Sequence, residues 1–245
     1  MGIYNQIIES KKRGRKLFSI LIDPDKQTEE SLLQIIKKSK SANVDLFLIG
    51  GSLLTNNSLD FCISIIKQNC KIPVVLFPGN AIQVNNKADG ILFLSLISGR
   101  NPEMLIGNHV ITAPILKKSD VEVLSTGYIL IDSGNSTTVS YMSNTTPIPH
   151  DKDDIAVCTA IAGEMLGLKM IYMDGGSGAI NSVSNKMITV VANNIDVPLI
   201  IGGGINSAKQ AKEKCKAGAD IIVVGNAIEK NNKLIQEISD AIHSV

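Results

Sequence analysis

The chain has 245 residues, 44% of them hydrophobic, so it is long enough to bury one large apolar core. Its 24 basic and 23 acidic side chains nearly cancel, which argues against a polybasic surface for nucleic acid or anionic lipid. No apolar run approaches the roughly 18 residues of a membrane span, and the N-terminus lacks the pattern of a signal peptide. We expect a single-domain cytoplasmic protein over residues 1–245, with no transmembrane segment and no nucleic-acid partner.

Short apolar runs rich in β-branched residues alternate with amphipathic segments along the chain. This alternation predicts a parallel sheet covered by helices. The predicted strands are residues 17–22, 46–49, 74–77, 91–94, 128–131, 170–173, 199–201 and 221–224. Eight strands in a chain of this length favour a closed (β/α)8 TIM barrel. A doubly wound open sheet is the alternative, because periodicity alone does not establish closure.

Three segments between the strands carry helix signals. Thr28 can cap a helix whose apolar stripe runs through residues 32–36 and whose C-terminal end is rich in lysine. Residues 155–166 are apolar almost all round and are followed by glycine, which predicts a deeply packed helix with a left-handed cap. Residues 207–217 follow the same plan, with Ala208, Ala211 and Cys215 facing inward and Gly218 ending the helix.

One connection departs from the alternation of strands and helices. Residues 78–89 contain Pro-Gly and Asn-Asn pairs and show little helical periodicity. We therefore expect a loop in place of the third helix of the barrel.

Glycine clusters follow the last two predicted strands. Gly202, Gly203 and Gly204 come after the seventh strand, and Gly225 precedes Asn226 after the eighth. Glycine lets backbone N–H groups approach an anion, and the N-terminus of a following helix adds partial positive charge. The loops after strands seven and eight of such barrels are a recurrent phosphate site. The two clusters together predict a phosphate clamp, whereas tight turns alone would explain only one of them.

The sixth predicted strand runs into a third glycine-rich loop that begins with an acidic residue. Asp174 can accept a proton from a substrate hydroxyl, and the backbone from Gly175 to Gly178 can join the anion cradle. The alternative interpretation is an aspartate that caps a turn.

A carboxylate and a hydroxyl follow the first two predicted strands. Asp23 ends the first strand, and Ser52 comes after two glycines at the end of the second. Hard oxygen donors of this kind suit Mg²⁺ beside a substrate phosphate. The alternative is that Asp23 and Asp25 only cap the helix that follows them.

The cysteines and histidines indicate neither a metal cluster nor a catalytic group. No CxxC pair occurs, and buried free thiols are predicted for Cys62, Cys70, Cys158 and Cys215. The histidines show no ligand spacing, and a surface or loop position is predicted for His109, His150 and His243. Arg100, after the fourth strand, suits either a diphosphate contact or solvent exposure.

Seven motifs occur in order between about residues 15 and 230. They are IDPDK (22–26), GGS (50–52), TGYILID (126–132), TTPIPHDKDD (145–154), YMDGGSGA (172–179), IGGGIN (201–206) and VGNAI (224–228). Together they resemble the geranylgeranylglyceryl phosphate synthase family, which includes bacterial heptaprenylglyceryl phosphate synthases. The resemblance implies a barrel without its third helix. It also implies transfer of a prenyl group from a polyprenyl diphosphate to the C3 hydroxyl of sn-glycerol 1-phosphate, which forms an ether and releases diphosphate.

By this resemblance, Asp23 and Ser52 hold Mg²⁺ on the diphosphate, and Asp174 stands where the family has a glutamate and is the expected base. The implied site for sn-glycerol 1-phosphate comprises Tyr172, Met173, Asp174, Gly175, Gly176, Ser177, Gly178, Gly202, Gly203, Gly225 and Asn226. Geranylgeranyl diphosphate is favoured because the chain has Leu21 and YMDGGSG where the heptaprenyl branch has lysine and a YLEYSG-like motif. We also expect a homo-oligomer that contacts membranes transiently for its lipid substrate.

Two other functions stay open on the residues themselves. Isomerases and thiamin-phosphate-forming transferases share the C-terminal phosphate loops, although Asp23 and Ser52 argue against them. A non-catalytic polyprenyl phosphate binding protein is the other alternative, but binding alone requires neither a positioned carboxylate nor a metal site.

Overall fold

The computed structural model describes residues 2–245 and contains eight parallel strands that close into a barrel in sequence order. The strands are β1 (Leu17–Ile22), β2 (Leu46–Gly51), β3 (Val74–Pro78), β4 (Gly90–Leu96), β5 (Glu122–Leu130), β6 (Met170–Asp174), β7 (Leu199–Gly202) and β8 (Ile221–Val224). Closure comes from the pairing of β1 with β8, in which Phe18 lies opposite Ile222. The prediction of a TIM barrel is confirmed, and the open-sheet alternative is wrong.

Within residues 2–245, helices surround the barrel, and the first of them covers the amino-terminal ends of the strands. They are α1 (Ile3–Lys12), α2 (Glu29–Ser41), α3 (Leu59–Asn69), α4 (Asn108–Leu116), α5 (Thr138–Ser143), α6 (Asp153–Met165), α7 (Asn185–Ala192), α8 (Ala208–Ala217), α9 (Asn226–Lys230) and α10 (Leu234–His243). A 3-10 turn, Pro24–Lys26, precedes α2, and a π-helical turn, Glu103–Gly107, precedes α4. None of these described helices combines the length and the apolar character needed to cross a membrane.

The alternation of strand side chains divides the core into two layers. Phe18, Ile20 and Ile22 of β1 point outward and pack with the helices, whereas Leu17 belongs to the cluster inside the barrel. Both faces of each strand are therefore covered, which explains the nearly continuous apolar runs in the sequence.

The helix ends follow the sequence signals. Thr28 accepts a hydrogen bond from the N–H of Ser31 and forms a capping box at the start of α2. Gly167 after α6 has φ +85°, so the predicted left-handed end of that helix is confirmed.

The packing of α6 differs from the prediction. Its buried positions are Ala156, Ala160 and Gly163, whereas Ile155 is 45% exposed and Met165 is 82% exposed. A barrel helix contacts the sheet through one face only, so apolar residues on the opposite face remain on the surface. The prediction of a helix packed deeply on all sides is therefore wrong.

Two further predictions need correction. Strand β5 begins at Glu122 rather than at Tyr128, because its first part pairs with β4 along its whole length despite a polar and glycine-containing sequence. Among the cysteines, Cys70 is only partly buried and Cys158 is exposed, so the prediction of buried thiols holds for Cys62 and Cys215 alone. All four are free.

The connection between β3 and β4 contains no helix, as predicted. The buried side chain of Gln83 fixes this loop to the end of β2. Its Oε1 accepts from the N–H of Gly79 at 3.1 Å, and its Nε2 donates to the carbonyl of Gly51 at 3.0 Å. Because no helix covers this side of the barrel, Val84 and Phe93 are only partly buried against the core and also line an open cavity.

We predict that Gln83→Leu lowers the free energy of unfolding by about 1–3 kcal/mol, because it leaves the buried polar groups of Gly51 and Gly79 without partners. Urea unfolding measures the change. Ile82 in the same loop is 87% exposed, so Ile82→Ala should change stability by less than about 0.5 kcal/mol. Equal stability of the two variants would show that Gln83 does not hold the loop.

Candidate functional site

A cavity of about 610 Å³ opens at the carboxyl ends of the strands, a size typical of small-ligand sites. Its wall contains residues that follow β1, β2, β6, β7 and β8. Most of the candidate residues line it, namely Asp23, Ser52, Tyr172, Asp174, Gly176, Ser177, Gly178, Gly203, Gly225 and Asn226. The barrel therefore brings together side chains and loops that are distant in the sequence.

Three candidate residues do not line the cavity. Met173 packs in the outer layer between the sheet and the helices, because successive strand side chains point to opposite faces and Tyr172 points inward. Gly202 instead makes room for that ring, since a Cβ at this position would lie 2.4 Å from the Tyr172 hydroxyl. Gly175 donates its N–H to the carbonyl of Gly202 at 3.2 Å and joins the two strand ends.

The glycine loops converge closely at Gly203. This residue has φ +78°, and a Cβ would lie 2.6 Å from Asp174 Oδ1 and from the nitrogen of Gly175. Only glycine combines this backbone conformation with so close an approach. Within residues 2–245, the N–H groups of Ser177 and Gly204 have no intramolecular acceptor, so they are available to an anion.

A side-chain contact joins the loop after β6 to the start of α9. Asn226 Nδ2 donates to Ser177 Oγ at 3.1 Å. The loops after β6, β7 and β8 therefore form one continuous surface at one side of the cavity, which is the arrangement that a phosphate clamp requires.

Asp174 lies beneath this surface and is 6% exposed. Its Oδ2 accepts from the Tyr128 hydroxyl at 2.6 Å, and its Oδ1 accepts from the N–H of Gly176 at 2.8 Å. Burial raises the pKa of Asp174, while these two hydrogen bonds oppose the rise. Burial, followed by the charge of Asp174, also raises the pKa of Tyr128, which therefore remains a neutral donor. A carboxyl group with a raised pKa is suited to accept a proton near neutral pH.

Tyr128 is a candidate that the sequence analysis did not identify. It packs with Phe77 and Tyr172 inside the barrel, and the centroid of the Tyr172 ring lies 5.4 Å from the centroid of each of the other two rings. The inward direction of Tyr128 follows from strand alternation, but nothing in the sequence indicates its contact with Asp174 across 46 residues.

The opposite side of the cavity contains Asp23 and Ser52. Asp23 Oδ1 accepts from the N–H of Asp25 at 3.2 Å, so this carboxylate also caps the turn that follows it. Within residues 2–245, no group of three or more His, Cys, Asp or Glu side chains forms a metal cluster. A carboxylate and a hydroxyl nevertheless fit Mg²⁺, which commonly takes few protein ligands and completes its coordination with phosphate oxygens and water.

Asp25 does not line the cavity and does not cap α2. Its carboxylate accepts from the N–H of Thr55 at 2.5 Å and from Ser58 Oγ at 3.0 Å. Burial is the largest single influence and raises the pKa of Asp25, but hydrogen bonds from Thr55, Ser58 and Asn56 together outweigh it and lower the pKa. The hydrogen bonds from Thr55 and Ser58 to Asp25 hold the segment that follows Ser52 against the end of β1.

An apolar arm of the cavity runs between β4 and α4. Phe93, Met104 and Thr112 line it together with His109, whose ring centroid lies 4.3 Å from that of Phe93. His109 is buried, and burial lowers its pKa. The prediction of a surface or loop position for His109 is therefore wrong, because it lies on the inner face of α4.

The other polar candidates lie outside the cavity. His243 lies half-buried in the last turn of α10, and its Nε2 lies 2.9 Å from Asp45 Oδ2. His150 is exposed as predicted. Arg100 Nη1 donates to the carbonyl of Gly99 at 2.8 Å and does not line the cavity.

Comparison with known proteins gives matches over nearly the whole chain. A model of the PcrB family matches residues 5–243. The geranylgeranylglyceryl phosphate synthase of Chitinophaga pinensis is 57% identical over 99% of this chain and 96% of its own. The crystal structure of (S)-3-O-geranylgeranylglyceryl phosphate synthase from Thermoplasma acidophilum, in complex with sn-glycerol-1-phosphate, has a TM-score of 0.94 at 29% identity and covers 100% of both chains. Wild-type GGGPS from Thermoplasma volcanium has a TM-score of 0.93 at 32% identity over 100% of this chain and 99% of its own.

We predict that Asp174→Asn stabilises the protein at neutral pH, because it removes a charge that burial disfavours. The raised pKa of Asp174 means that the folded protein loses stability as the pH rises from the unfolded pKa through the folded one. The gain in free energy of unfolding should therefore be present near pH 7 and vanish below about pH 4, the pKa of an unfolded aspartate.

Urea unfolding of wild type and variant at both pH values measures this difference. Asp151 is exposed, so Asp151→Asn is the matched control and should change little at either pH. A variant that is less stable than the wild type near pH 7 would contradict the prediction.

Proposed function

The chain belongs to the PcrB family, and we propose that it is a prenyltransferase that joins a geranylgeranyl group to the C3 hydroxyl of sn-glycerol 1-phosphate. One observation carries the proposal: a single cavity combines convergent glycine loops, a buried carboxyl group and an apolar arm. These three features match the three chemical parts of the reaction, which are an anionic anchor, a hydroxyl nucleophile and a long hydrocarbon. No other function is favoured by a specific observation.

The glycine loops bind the phosphate of the acceptor. Backbone N–H groups of Ser177 and Gly204 are available for this purpose, and Asn226 lies beside them. The complex of the Thermoplasma acidophilum relative with sn-glycerol-1-phosphate supports this choice of acceptor. A phosphate held here places the glycerol chain above Asp174.

Asp174 accepts the proton of the attacking hydroxyl. Each of its carboxylate oxygens receives one hydrogen bond, from Tyr128 and from Gly176, and retains a lone pair for that proton. The hydroxyl oxygen forms a bond to the first carbon of the prenyl group, and the bond between this carbon and the diphosphate oxygen breaks. The released electron pair leaves with the diphosphate, so the products are the ether and diphosphate.

The apolar arm between β4 and α4 accommodates the prenyl tail. Phe93 and Met104 contribute to its walls, and the absence of a helix after β3 keeps it open. Burial of a long hydrocarbon supplies binding energy of about 0.8 kcal/mol per methylene, and the same walls exclude water from the reacting carbon.

Asp23 and Ser52 would hold Mg²⁺ at the other rim of the cavity. Bound there, the ion would supply positive charge beside the departing diphosphate. The donor set supports this assignment, since one carboxylate and one hydroxyl leave coordination positions for diphosphate oxygens.

The direct test is incubation of the purified protein and Mg²⁺ with enantiopure glycerol phosphates and a series of prenyl diphosphates, followed by identification of the ethers. We predict a preference for sn-glycerol 1-phosphate over sn-glycerol 3-phosphate of at least about tenfold in kcat/KM. With the phosphate anchored, the mirror image exchanges the hydroxyl and hydrogen on its central carbon and leaves polar groups unpaired. Geranylgeranyl diphosphate should be the preferred donor.

Removal of the metal with EDTA should abolish product, and excess Mg²⁺ should restore it. Equal use of both glycerol phosphates would contradict the proposed acceptor site. If none of the prenyl diphosphates gave an ether, the proposed prenyltransferase activity would be wrong.

The phosphate clamp makes a separate prediction for Gly203→Ala. A methyl group there meets the nitrogens of Gly175 and Gly176 at 2.6 and 2.7 Å and pushes the clamp apart. The KM for sn-glycerol 1-phosphate should rise about tenfold or more, and the KM for the prenyl donor should change much less.

Gly167→Ala is the matched control for backbone strain. Gly167, in the turn after α6, also has a positive φ, +85°, a Cβ there meets nothing within 4 Å, and it does not line the cavity. An increase in KM of the same size in both variants would attribute the effect to strain in the loops. An increase confined to the prenyl donor would assign the clamp to the wrong substrate.

A further inference from the structure

Three charged side chains meet at the seam between β1 and α9. Lys26 Nζ lies 3.0 Å from Asp23 Oδ2 and 3.4 Å from Glu229 Oε2. Glu229 Oε1 also accepts from the N–H of Asp23 at 3.3 Å. The ammonium group therefore bridges the two carboxylates. All three residues line the cavity, at the rim where Mg²⁺ is proposed to bind.

The carboxylates are less exposed than the cation between them. The side chain of Lys26 is 50% exposed, compared with 25% for Asp23 and 14% for Glu229. Two partly buried negative charges repel each other unless a cation lies between them. Burial lowers the pKa of Lys26, but Asp23 and Glu229 outweigh that effect and raise it, so the lysine remains charged.

A divalent cation bound to Asp23 would change the balance of charges around Lys26. The ammonium group would then stand beside a like charge and lose part of its attraction to the carboxylates. Lysine is a compact cation on a flexible stem and can turn toward another anion without movement of the backbone. The anion of the proposed reaction is the diphosphate of the prenyl donor, which must lie in the same cavity.

We propose that Lys26 is an internal counter-ion, which occupies the space between Asp23 and Glu229 in the metal-free protein and transfers to the donor diphosphate when a divalent cation binds. This inference rests on the proposed function for the identity of the diphosphate. It assigns Lys26 two opposite effects, since the lysine competes with the metal and assists the diphosphate.

Two binding measurements test these opposite effects without turnover. Binding of Mn²⁺ to the protein alone is measured from the electron paramagnetic resonance signal of free Mn²⁺. Binding of inorganic diphosphate in saturating Mg²⁺ is measured by calorimetry at the same ionic strength. We expect Lys26→Met to lower the Kd for Mn²⁺ at least about threefold. We expect it to raise the Kd for diphosphate about tenfold.

Lys230→Met is the matched control. Lys230 lines the same rim and is exposed, and among residues 2–245 it makes no ion pair. The substitution Lys230→Met removes the same charge but leaves no carboxylate without its cation. The Kd for Mn²⁺ should therefore stay within about twofold of the wild type. Lys26→Gln should reproduce both effects of Lys26→Met, and thermal unfolding checks that each variant folds.

Several outcomes would overturn the inference. Weaker binding of both ligands by Lys26→Met would show that the lysine only holds the rim together. Unchanged Mn²⁺ binding, an equal effect in Lys230→Met, or no Mn²⁺ binding by the wild type would remove the counter-ion role. Ether formation by the wild type is measured independently, so these outcomes would overturn the counter-ion role of Lys26 without contradicting the proposed prenyltransferase activity.

Discussion

Pairing between β1 and β8 brings Asp23 next to Glu229, although 206 residues separate them in the chain. This closure places the carboxyl ends of all eight parallel strands around one opening, so loops that are remote in sequence share one cavity. The convergent glycine loops, the buried carboxyl group and the charged rim all depend on it. Without closure, the first and last strands would lie at opposite edges of a sheet and the rim would not exist.

A buried carboxyl group lowers the stability of the barrel interior at the carboxyl ends of the strands. Most inward positions are apolar, but Asp174 is placed among aromatic rings and is held by Tyr128 and Gly176. Burial disfavours its charge, while the two hydrogen bonds keep the group oriented. A strained or disfavoured group in an otherwise well-packed core is characteristic of a site retained for function rather than for stability.

The missing helix after β3 shapes the other half of the cavity. A complete barrel would cover the outer face of β4 with an amphipathic helix, whereas Gln83 holds a loop against the end of β2. Phe93 and His109 therefore line an apolar arm that leads away from the polar rim. One cavity consequently offers both polar and apolar surroundings, as a substrate with a diphosphate head and a hydrocarbon tail requires.

The sequence by itself determined the elements whose signals are local. Strand periodicity, helix caps and the Pro-Gly and Asn-Asn pairs predicted the barrel, most element positions and the absent helix, and glycine after β7 and β8 predicted where an anion site would lie. Only the tertiary structure decided which side chains meet. Tyr128 reaches Asp174, Lys26 reaches Glu229 and His109 packs on Phe93 through contacts across strands, and side-chain contacts between distant segments leave no periodic pattern. The exposed face of α6 and the outward direction of Met173 were decided in the same way, because burial depends on the layer into which each face packs.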